Sequence, residues 1–346
     1  MIKLNPLLAD YDTVLLDMDG VITSEEIYWE TAALTVWEFL NSHLYYGTDT
    51  IDPAAMAEEV KELRAQVFLN DAVIKNVKNH GLNNNWDLAW FVIGCALVYK
   101  TRDFHEIARH LDALFSDNPC PFTALSAKMQ QVLGMKEEDS AHLGSFWKSV
   151  QLCFQEWFVG SELFPQYWNH SVIQPGKTGL SFREEPLVDR EPLLELLRVL
   201  GKEKRLGIGT GRPRIEAITP LKCWGVIDAF CEDAIVTYQE IVKTQKSLQG
   251  VMPNLVLNKP HPYMFLKGVF GEQYTDLQLI NEEYPKAPCK KTLVIGDAAC
   301  DLFAAKRAGC DFLAVLTGVA GENARSFFEQ ENADFILHNI LELLAS

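Results

Sequence analysis

The sequence is short of basic residues. It contains 31 lysines and arginines against 47 aspartates and glutamates, which gives a formal net charge of -16 at pH 7. Nucleic-acid binding depends mainly on lysine and arginine contacts to phosphates, so this balance argues against a nucleic acid as ligand. A phosphorylated small molecule is compatible with so acidic a chain only where a local cation or a metal ion reverses the field.

Long apolar segments and paired cysteine motifs are also missing. The longest apolar run, residues 88–99 (LAWFVIGCALVY), is shorter than the roughly 20 residues that a helix needs to cross a bilayer. We therefore expect no membrane span but a buried helix, which could face a partner subunit in a homodimer. The eight cysteines include no CxxC pair and no signal-peptide pattern precedes them, so free thiols and a cytoplasmic location are expected.

The apolar content is that of a folded protein with two domains. Hydrophobic residues make up 48% of the chain and charged residues 23%, and 346 residues exceed one ordinary compact core. From residue 23 to about 185 the pattern is helical and rich in aromatics, as in SEEIYWETAALTVWEFLNSHL. The segment SFREEPLVDREP, with two prolines and mixed charge, then indicates a linker.

The two ends of the chain together predict one α/β domain. Short continuous apolar runs alternate with helical segments, namely TVLL (13–16), RLGIG (205–209), TLVIG (292–296), FLAV (312–315) and ADFIL (333–337). Such runs are typical of a parallel sheet covered on both faces. The expected architecture is a Rossmann-like, doubly wound sheet from residues 1–22 and 186–346, with an α-helical domain, 23–185, inserted after the first strand.

Polar residues follow several of these predicted strands in four short stretches. They are DMDG (17–20), GTGR (209–212), NKPHP (258–262) and GDAACD (296–301). Ligands of open α/β sheets bind outside the carboxyl ends of the strands. We therefore expect the four stretches to converge on one site although they are far apart in the sequence.

The charges in such a site require a cation. Asp17, Asp19, Asp297 and Asp301 would bring four negative charges together, and Lys259 returns one positive charge. Three net negative charges cannot share a crevice without neutralisation. A divalent cation removes two of them and a proton on one carboxyl removes the third, and a donor set of oxygens alone favours Mg²⁺.

This division between a metal-bound acid and a protonated acid suits phosphoryl transfer through an aspartyl-phosphate. An ionised carboxylate attacks phosphorus, while a second acid protonates the departing alkoxide and then takes a proton from water. Thr210 and backbone N–H groups would hold the phosphoryl oxygens, and Lys259 would neutralise developing charge. Gly20 and Gly211 would allow the backbone to approach the phosphate closely.

The motifs DMDGV, GTGR, KP and GDAACD, in this order, resemble the four motifs of the haloacid dehalogenase-like (HAD) hydrolase superfamily. The helical insertion after the first motif is similar to the phosphoglycolate phosphatase/β-phosphoglucomutase branch, although it is longer than the usual helical cap of that branch. The resemblance covers residues 9–40 and 187–346. It implies a HAD fold and a phosphoric monoester hydrolase.

Residue by residue, the resemblance implies Asp17 as nucleophile and Asp19 as general acid/base. It implies Mg²⁺ bound by Asp17, by Asp297 and by the backbone carbonyl of Asp19. Asp301 is expected nearby, either as a further metal ligand or as an acid next to the ligands. Alternatively, it has no role in the site and is simply an acidic residue in the first turn of the following helix.

The remaining motif residues are implied to bind the phosphate. Thr210 and Lys259 would contact the phosphoryl group. Alternatively, Lys259 is a solvent-exposed loop residue with no role in the site. Arg212 would touch the substrate or would only begin the following helix.

Three functions are compatible with these residues. The leading prediction is a Mg²⁺-dependent phosphatase that acts on a small phosphorylated metabolite. A sugar phosphomutase would use the same intermediate but return the phosphoryl group to a sugar. A non-catalytic protein would use its aromatic-rich helical domain to bind a partner, but such a protein gains nothing from a crowded carboxylate site.

Overall fold

The computed structural model describes residues 3–82 and 84–345. The chain divides into two compact units, a core unit of Met1–Glu25 with Glu184–Ser346 and a helical unit of Glu26–Arg183. The predicted division was 1–22 with 186–346 against 23–185, so the observed bounds lie within three residues of it.

The helical unit is an assembly of α-helices around one central helix. Its described residues form α1 (Glu26–Asn41), α2 (Pro53–Glu58), α3 (Val60–Val67), α4 (Ala72–Asn79), α5 (Asn85–Tyr99), α6 (Phe104–Asp117), α7 (Pro121–Leu133), α8 (Glu137–Ser140), α9 (Ser145–Val159) and α10 (Phe164–Trp168). Side-chain caps begin several of them: Asn84 accepts from the N–H groups of α5, and Asp103 from that of His105.

Helix α5 changes the expectation about a partner subunit. It contacts α1, α6, α7 and α9, and the side chains of Trp90, Phe91 and Ile93 are fully buried. A helix that is apolar on all sides belongs at the centre of a unit. The apolar run 88–99 is thus the buried helix that the sequence predicted, and a homodimer stays a prediction without a surface assigned to it. Among the described residues, no helix is long and apolar enough to span a membrane.

A buried ion cluster joins α1, α9 and the segment after α10. The Lys177 ammonium lies 2.7 Å from Glu38 Oε2 and 2.8 Å from Glu156 Oε2, and all three side chains are fully buried. Trp157 Nε1 donates to Glu38 Oε2 at 2.6 Å. Glu156 Oε1 also accepts the N–H of Ile173 at 2.7 Å. The lysine is thus the cation that makes two buried carboxylates tolerable.

The core unit contains the predicted parallel sheet. Among its described residues six strands form it: β1 (Thr13–Leu16), β2 (Arg205–Gly209), β3 (Ile235–Val236), β4 (Thr292–Gly296), β5 (Asp311–Val315) and β6 (Phe335–Leu337). Their order is β3-β2-β1-β4-β5-β6, and Leu16 is in register with Ile208 and Ile295. The first strand of the chain therefore lies between the two strands that precede GTGR and GDAACD. Strand β3 was not predicted, because two residues carry no period.

Helices cover both faces of this sheet. They are α11 (Arg190–Glu203), α12 (Arg214–Cys223), α13 (Tyr238–Leu248), α14 (Tyr263–Phe270), α15 (Asp276–Ile280), α16 (Ala287–Lys290), α17 (Ala299–Ala308) and α18 (Arg325–Gln330). Val14 and Leu16 of β1 pack into one apolar cluster and Leu15 into the other. This two-sided burial explains why β1 is a continuous apolar run.

Replacing Lys177 should destabilise the helical unit. We expect Lys177→Met to lower the free energy of unfolding by about 3–5 kcal/mol, because two buried carboxylates lose their cation. Lys136→Met, which removes an exposed partner of Glu138, should cost at most about 1 kcal/mol. Urea denaturation followed by circular dichroism measures both, and equal small effects would contradict the role of Lys177.

Candidate active site

The four predicted stretches meet at the carboxyl ends of β1, β2 and β4. Asp17 follows β1, Thr210 follows β2 and Asp297 follows β4, while Lys259 comes from the loop before α14. Parallel strands place these ends on one edge of the sheet. Ion pairs join residues from all four stretches.

Three carboxylates form a group suited to a metal ion. Asp17, Asp297 and Asp301 each offer an oxygen, and these atoms lie within 4.8 Å of one another. Lys259 Nζ lies 3.0 Å from Asp17 Oδ1 and 2.6 Å from Asp301 Oδ1. Three carboxylates and one ammonium leave two net negative charges, which one divalent cation balances. An oxygen-only donor set with this charge fits Mg²⁺.

The electrostatics of the group reflect its burial. Burial raises the pKa of Asp17 to about 7. Lys259 opposes this shift, whereas the charges of Asp301 and Asp19 add to it. Burial, Asp17 and Asp301 raise the pKa of Asp297 to about 8. Although burial alone would lower the pKa of Lys259, Asp17 and Asp301 raise it above its ordinary value. The lysine is therefore a permanent cation, whereas the raised pKa values of Asp17 and Asp297 mean that protons and a metal cation compete for these two carboxylates near neutral pH.

Asp301 combines both of the roles that the sequence left open. Its side chain is fully buried and accepts from Lys259 at the metal group. Its Oδ2 also accepts the N–H of Ala298 at 3.3 Å, at the start of α17. The same carboxylate thus begins the helix and contributes charge to the site.

Asp19 is held apart from this group by an arginine. Arg212 Nη2 lies 2.6 Å from Asp19 Oδ1, and Arg212 Nε donates to Asp19 Oδ2 at 3.0 Å. The other edge of the guanidinium donates to Glu184, from Nη2 at 2.7 Å and from Nη1 at 2.9 Å. Arg212 was predicted to touch the substrate or to begin a helix, and its side chain instead binds two carboxylates.

Glu184 is a site residue that sequence reasoning missed. The sequence placed it in the linker SFREEPLVDREP, where an acid is ordinarily solvated, but only 5% of it is exposed. Its backbone carbonyl accepts the indole N–H of Trp224 at 2.9 Å. The signal that could have found it is the pair of acids in REEP, at the point where the chain returns to the core.

Gly20 and the loop after β5 enclose Asp297. Gly20 has a φ of 78°, and a Cβ at Gly20 or at Gly318 would overlap the Asp297 carboxylate. Thr317 Oγ1 donates to the Gly20 carbonyl at 2.5 Å, which joins this loop to the first motif. Sequence reasoning missed Thr317 and Gly318, although they directly follow a predicted strand.

The other two residues predicted for phosphate binding, Thr210 and Gly211, differ in their surroundings. Thr210 is 1% exposed, and its Oγ1 accepts the N–H of Arg212 at 3.2 Å. A Cβ at Gly211 would meet no protein atom within 4 Å, so no described contact requires glycine there. Phosphate binding by these residues stays a prediction.

A family model matches the part of the chain that carries the last two of the four motifs. Residues 256–343 match the family model described as HAD-hydrolase-like, and this segment carries Lys259, Asp297 and Asp301. A solved structure, the Northeast Structural Genomics Consortium target ZR25, superposes with a TM-score of 0.84 at 26% identity, over 96% of this chain and 97% of that chain. No curated protein matches the sequence.

Two further solved structures are less similar. A putative β-phosphoglucomutase from Thermotoga maritima has a TM-score of 0.42 at 16% identity, over 96% of both chains. The putative HAD-hydrolase YfnB from Bacillus subtilis, bound to magnesium, has a TM-score of 0.41 at 14% identity, over 96% of both chains. Residues 256–343 are thus similar to HAD-like hydrolases, and the strand order and the four motifs are consistent with that family.

The raised pKa values predict how stability depends on pH in the absence of divalent cations. The folded-state values of about 7 for Asp17 and about 8 for Asp297 exceed the ordinary value of 3.8. The folded state therefore binds more protons than the unfolded state, and the stabilisation present below the ordinary value is lost as the pH rises through 7 and 8. We expect the melting temperature in EDTA to fall as the pH rises from the ordinary pKa of 3.8 towards the folded-state values of about 7 and about 8.

Added Mg²⁺ should oppose that loss, because it binds ionised carboxylates in competition with protons. The rise in melting temperature on adding Mg²⁺ should be larger near about pH 8.5 than near about pH 6. Scanning fluorimetry at both pH values measures it, with Asp297→Asn expected to lose most of the rise. A rise that is equal at the two pH values would contradict the assignment of these acids.

Proposed function

We propose that the protein is a Mg²⁺-dependent phosphatase that hydrolyses a small phosphorylated metabolite through an aspartyl-phosphate on Asp17. The observation that carries this proposal is the separation of two acids on one strand end. Asp17 belongs to the group with Asp297, Asp301 and Lys259, whereas Asp19 contacts Arg212. The two acids therefore lie in different surroundings, and we assign the nucleophilic anion to Asp17 and the proton transfer to Asp19.

In the first step an oxygen of the Asp17 carboxylate attacks phosphorus. The new bond joins Asp17 to the phosphoryl group, and the bond from phosphorus to the ester oxygen breaks. Asp19 gives its proton to the departing oxygen, which leaves as an alcohol. Lys259, 3.0 Å from Asp17 Oδ1, lies where it can offset the charge that builds on the phosphoryl oxygens.

In the second step water hydrolyses the acyl phosphate. Asp19, now ionised, takes a proton from the water as its oxygen attacks phosphorus. The bond between phosphorus and the Asp17 oxygen breaks, and inorganic phosphate leaves. Both carboxyl groups return to their starting protonation, so the sum of the steps is hydrolysis of the ester.

A bound Mg²⁺ would supply positive charge for the phosphoryl oxygens and for the crowded acids. Asp17 and Asp297 would hold it, with Asp301 next to them in the same group. The two net negative charges of this group and its all-oxygen donors support this choice of metal.

The nucleophile assignment predicts a large and specific loss of activity. Asp17→Asn should lower phosphate release by at least about 10³-fold without unfolding the chain, because the amide cannot attack phosphorus. Asp12→Asn, at an exposed acid just before β1, is the matched control and should retain activity.

The measurement is release of inorganic phosphate from a panel of phosphorylated metabolites and from p-nitrophenyl phosphate, with Mg²⁺ or with EDTA. Near-normal activity of Asp17→Asn would refute the nucleophile. Conversion of a sugar phosphate to an isomer with no stoichiometric phosphate would identify a phosphomutase. Inactivity of the wild-type protein toward every ester would favour a binding role.

A further inference from the structure

The Arg212 side chain has a geometry that a helix-start arginine does not need. It is buried, and both edges of its guanidinium face carboxylates. The Nε and Nη2 edge binds Asp19, and the Nη1 and Nη2 edge binds Glu184. Two bidentate pairs fix the orientation of a planar guanidinium in a way that a lysine could not reproduce.

Asp19, Arg212 and Glu184 differ in how far their side chains are exposed. The Asp19 side chain is 29% exposed, whereas those of Arg212 and Glu184 are each 2% exposed. Asp19 can therefore reach a substrate, but Arg212 is screened from one. Arg212 can therefore act on the reaction through the Asp19 carboxylate that it holds, without touching the substrate.

The far side of the arginine is anchored to the two segments that leave and re-enter the core unit. Glu184, on the returning segment, is fixed through its carbonyl to Trp224. Thr23, on the leaving segment, accepts from Arg212 Nη2 at 3.0 Å and donates to Asp19 Oδ1 at 3.3 Å. The position of the Asp19 carboxylate is thus set by residues from three separate parts of the chain.

Stability alone does not account for this arrangement. Burying an arginine with a glutamate requires desolvation of both groups, and such pairs are often no more stabilising than apolar residues of similar volume. A buried pair that orients a partly exposed acid has a use that apolar packing cannot provide.

Resting on the proposed function, we propose that Arg212 is a positioning residue that orients Asp19 for proton transfer to the leaving group. Glu184 holds the guanidinium in place. The contribution is geometric, so it should matter most for substrates whose leaving group needs a proton.

The test compares two esters that differ in this need. Ionised p-nitrophenol leaves without a proton, whereas the alcohol of an alkyl phosphate requires one. The value of kcat/KM reports the steps through the first phosphoryl transfer, so it isolates proton donation by Asp19. We expect Arg212→Lys to lower kcat/KM for the best alkyl phosphate of the panel by about 10²-fold, and for p-nitrophenyl phosphate by less than about tenfold.

Other variants separate positioning from charge and from folding. Asp19→Asn should show the same selective loss, and Glu184→Gln a smaller loss in the same direction. Arg214→Lys, at an arginine whose partners are Glu232 and Glu240, is the matched control and should leave the ratio of the two esters unchanged. Circular dichroism and melting temperature establish that each variant is folded.

An equal loss for both esters in Arg212→Lys would overturn the proposal and leave a structural ion pair. If Arg212→Lys does not fold, Glu184→Gln decides in its place, and an unchanged ratio there also overturns it. These results differ from failure of the proposed function, in which the wild-type protein would release no phosphate from either ester.

Discussion

The ion pairs of Lys259 with Asp17 and Asp301 are the contacts on which the site depends. They connect a loop to the end of β1 and to the first turn of α17, at a point where carboxylates would otherwise repel one another. The lysine leaves two negative charges uncompensated, which is the charge of one divalent cation. The arrangement therefore makes metal binding part of how the core tolerates its own acids.

A second cation, Arg212, separates the two acids of the first motif. Asp17 and Asp19 are two residues apart, yet one faces Lys259 and the other faces a guanidinium. The charge count made from sequence used a proton to remove the last negative charge of four acids. In the structure Arg212 lies between Asp19 and Glu184, so this cation faces two carboxylates, while the group around Asp17 is balanced by Lys259 and one divalent cation.

The pattern of apolar residues predicted the core better than it predicted the surroundings of individual side chains. The run TVLL was expected to be a central buried strand, and it is β1. The run at 88–99 was equally apolar, but periodicity cannot distinguish the centre of a helical unit from a subunit interface. Burial of Trp90 and Phe91 against neighbouring helices decided between them.

The sequence by itself determined which acids, lysine and glycines follow the predicted strands, since these are local patterns along the chain. It also placed the helical insertion, because a change from strand-like to helical periodicity is visible along the chain. Only the tertiary structure decided the partners of Arg212, which lie 193 positions away at Asp19 and 28 positions away at Glu184. Pairing over such separations depends on how the sheet brings its ends together, and no local pattern of residues encodes it.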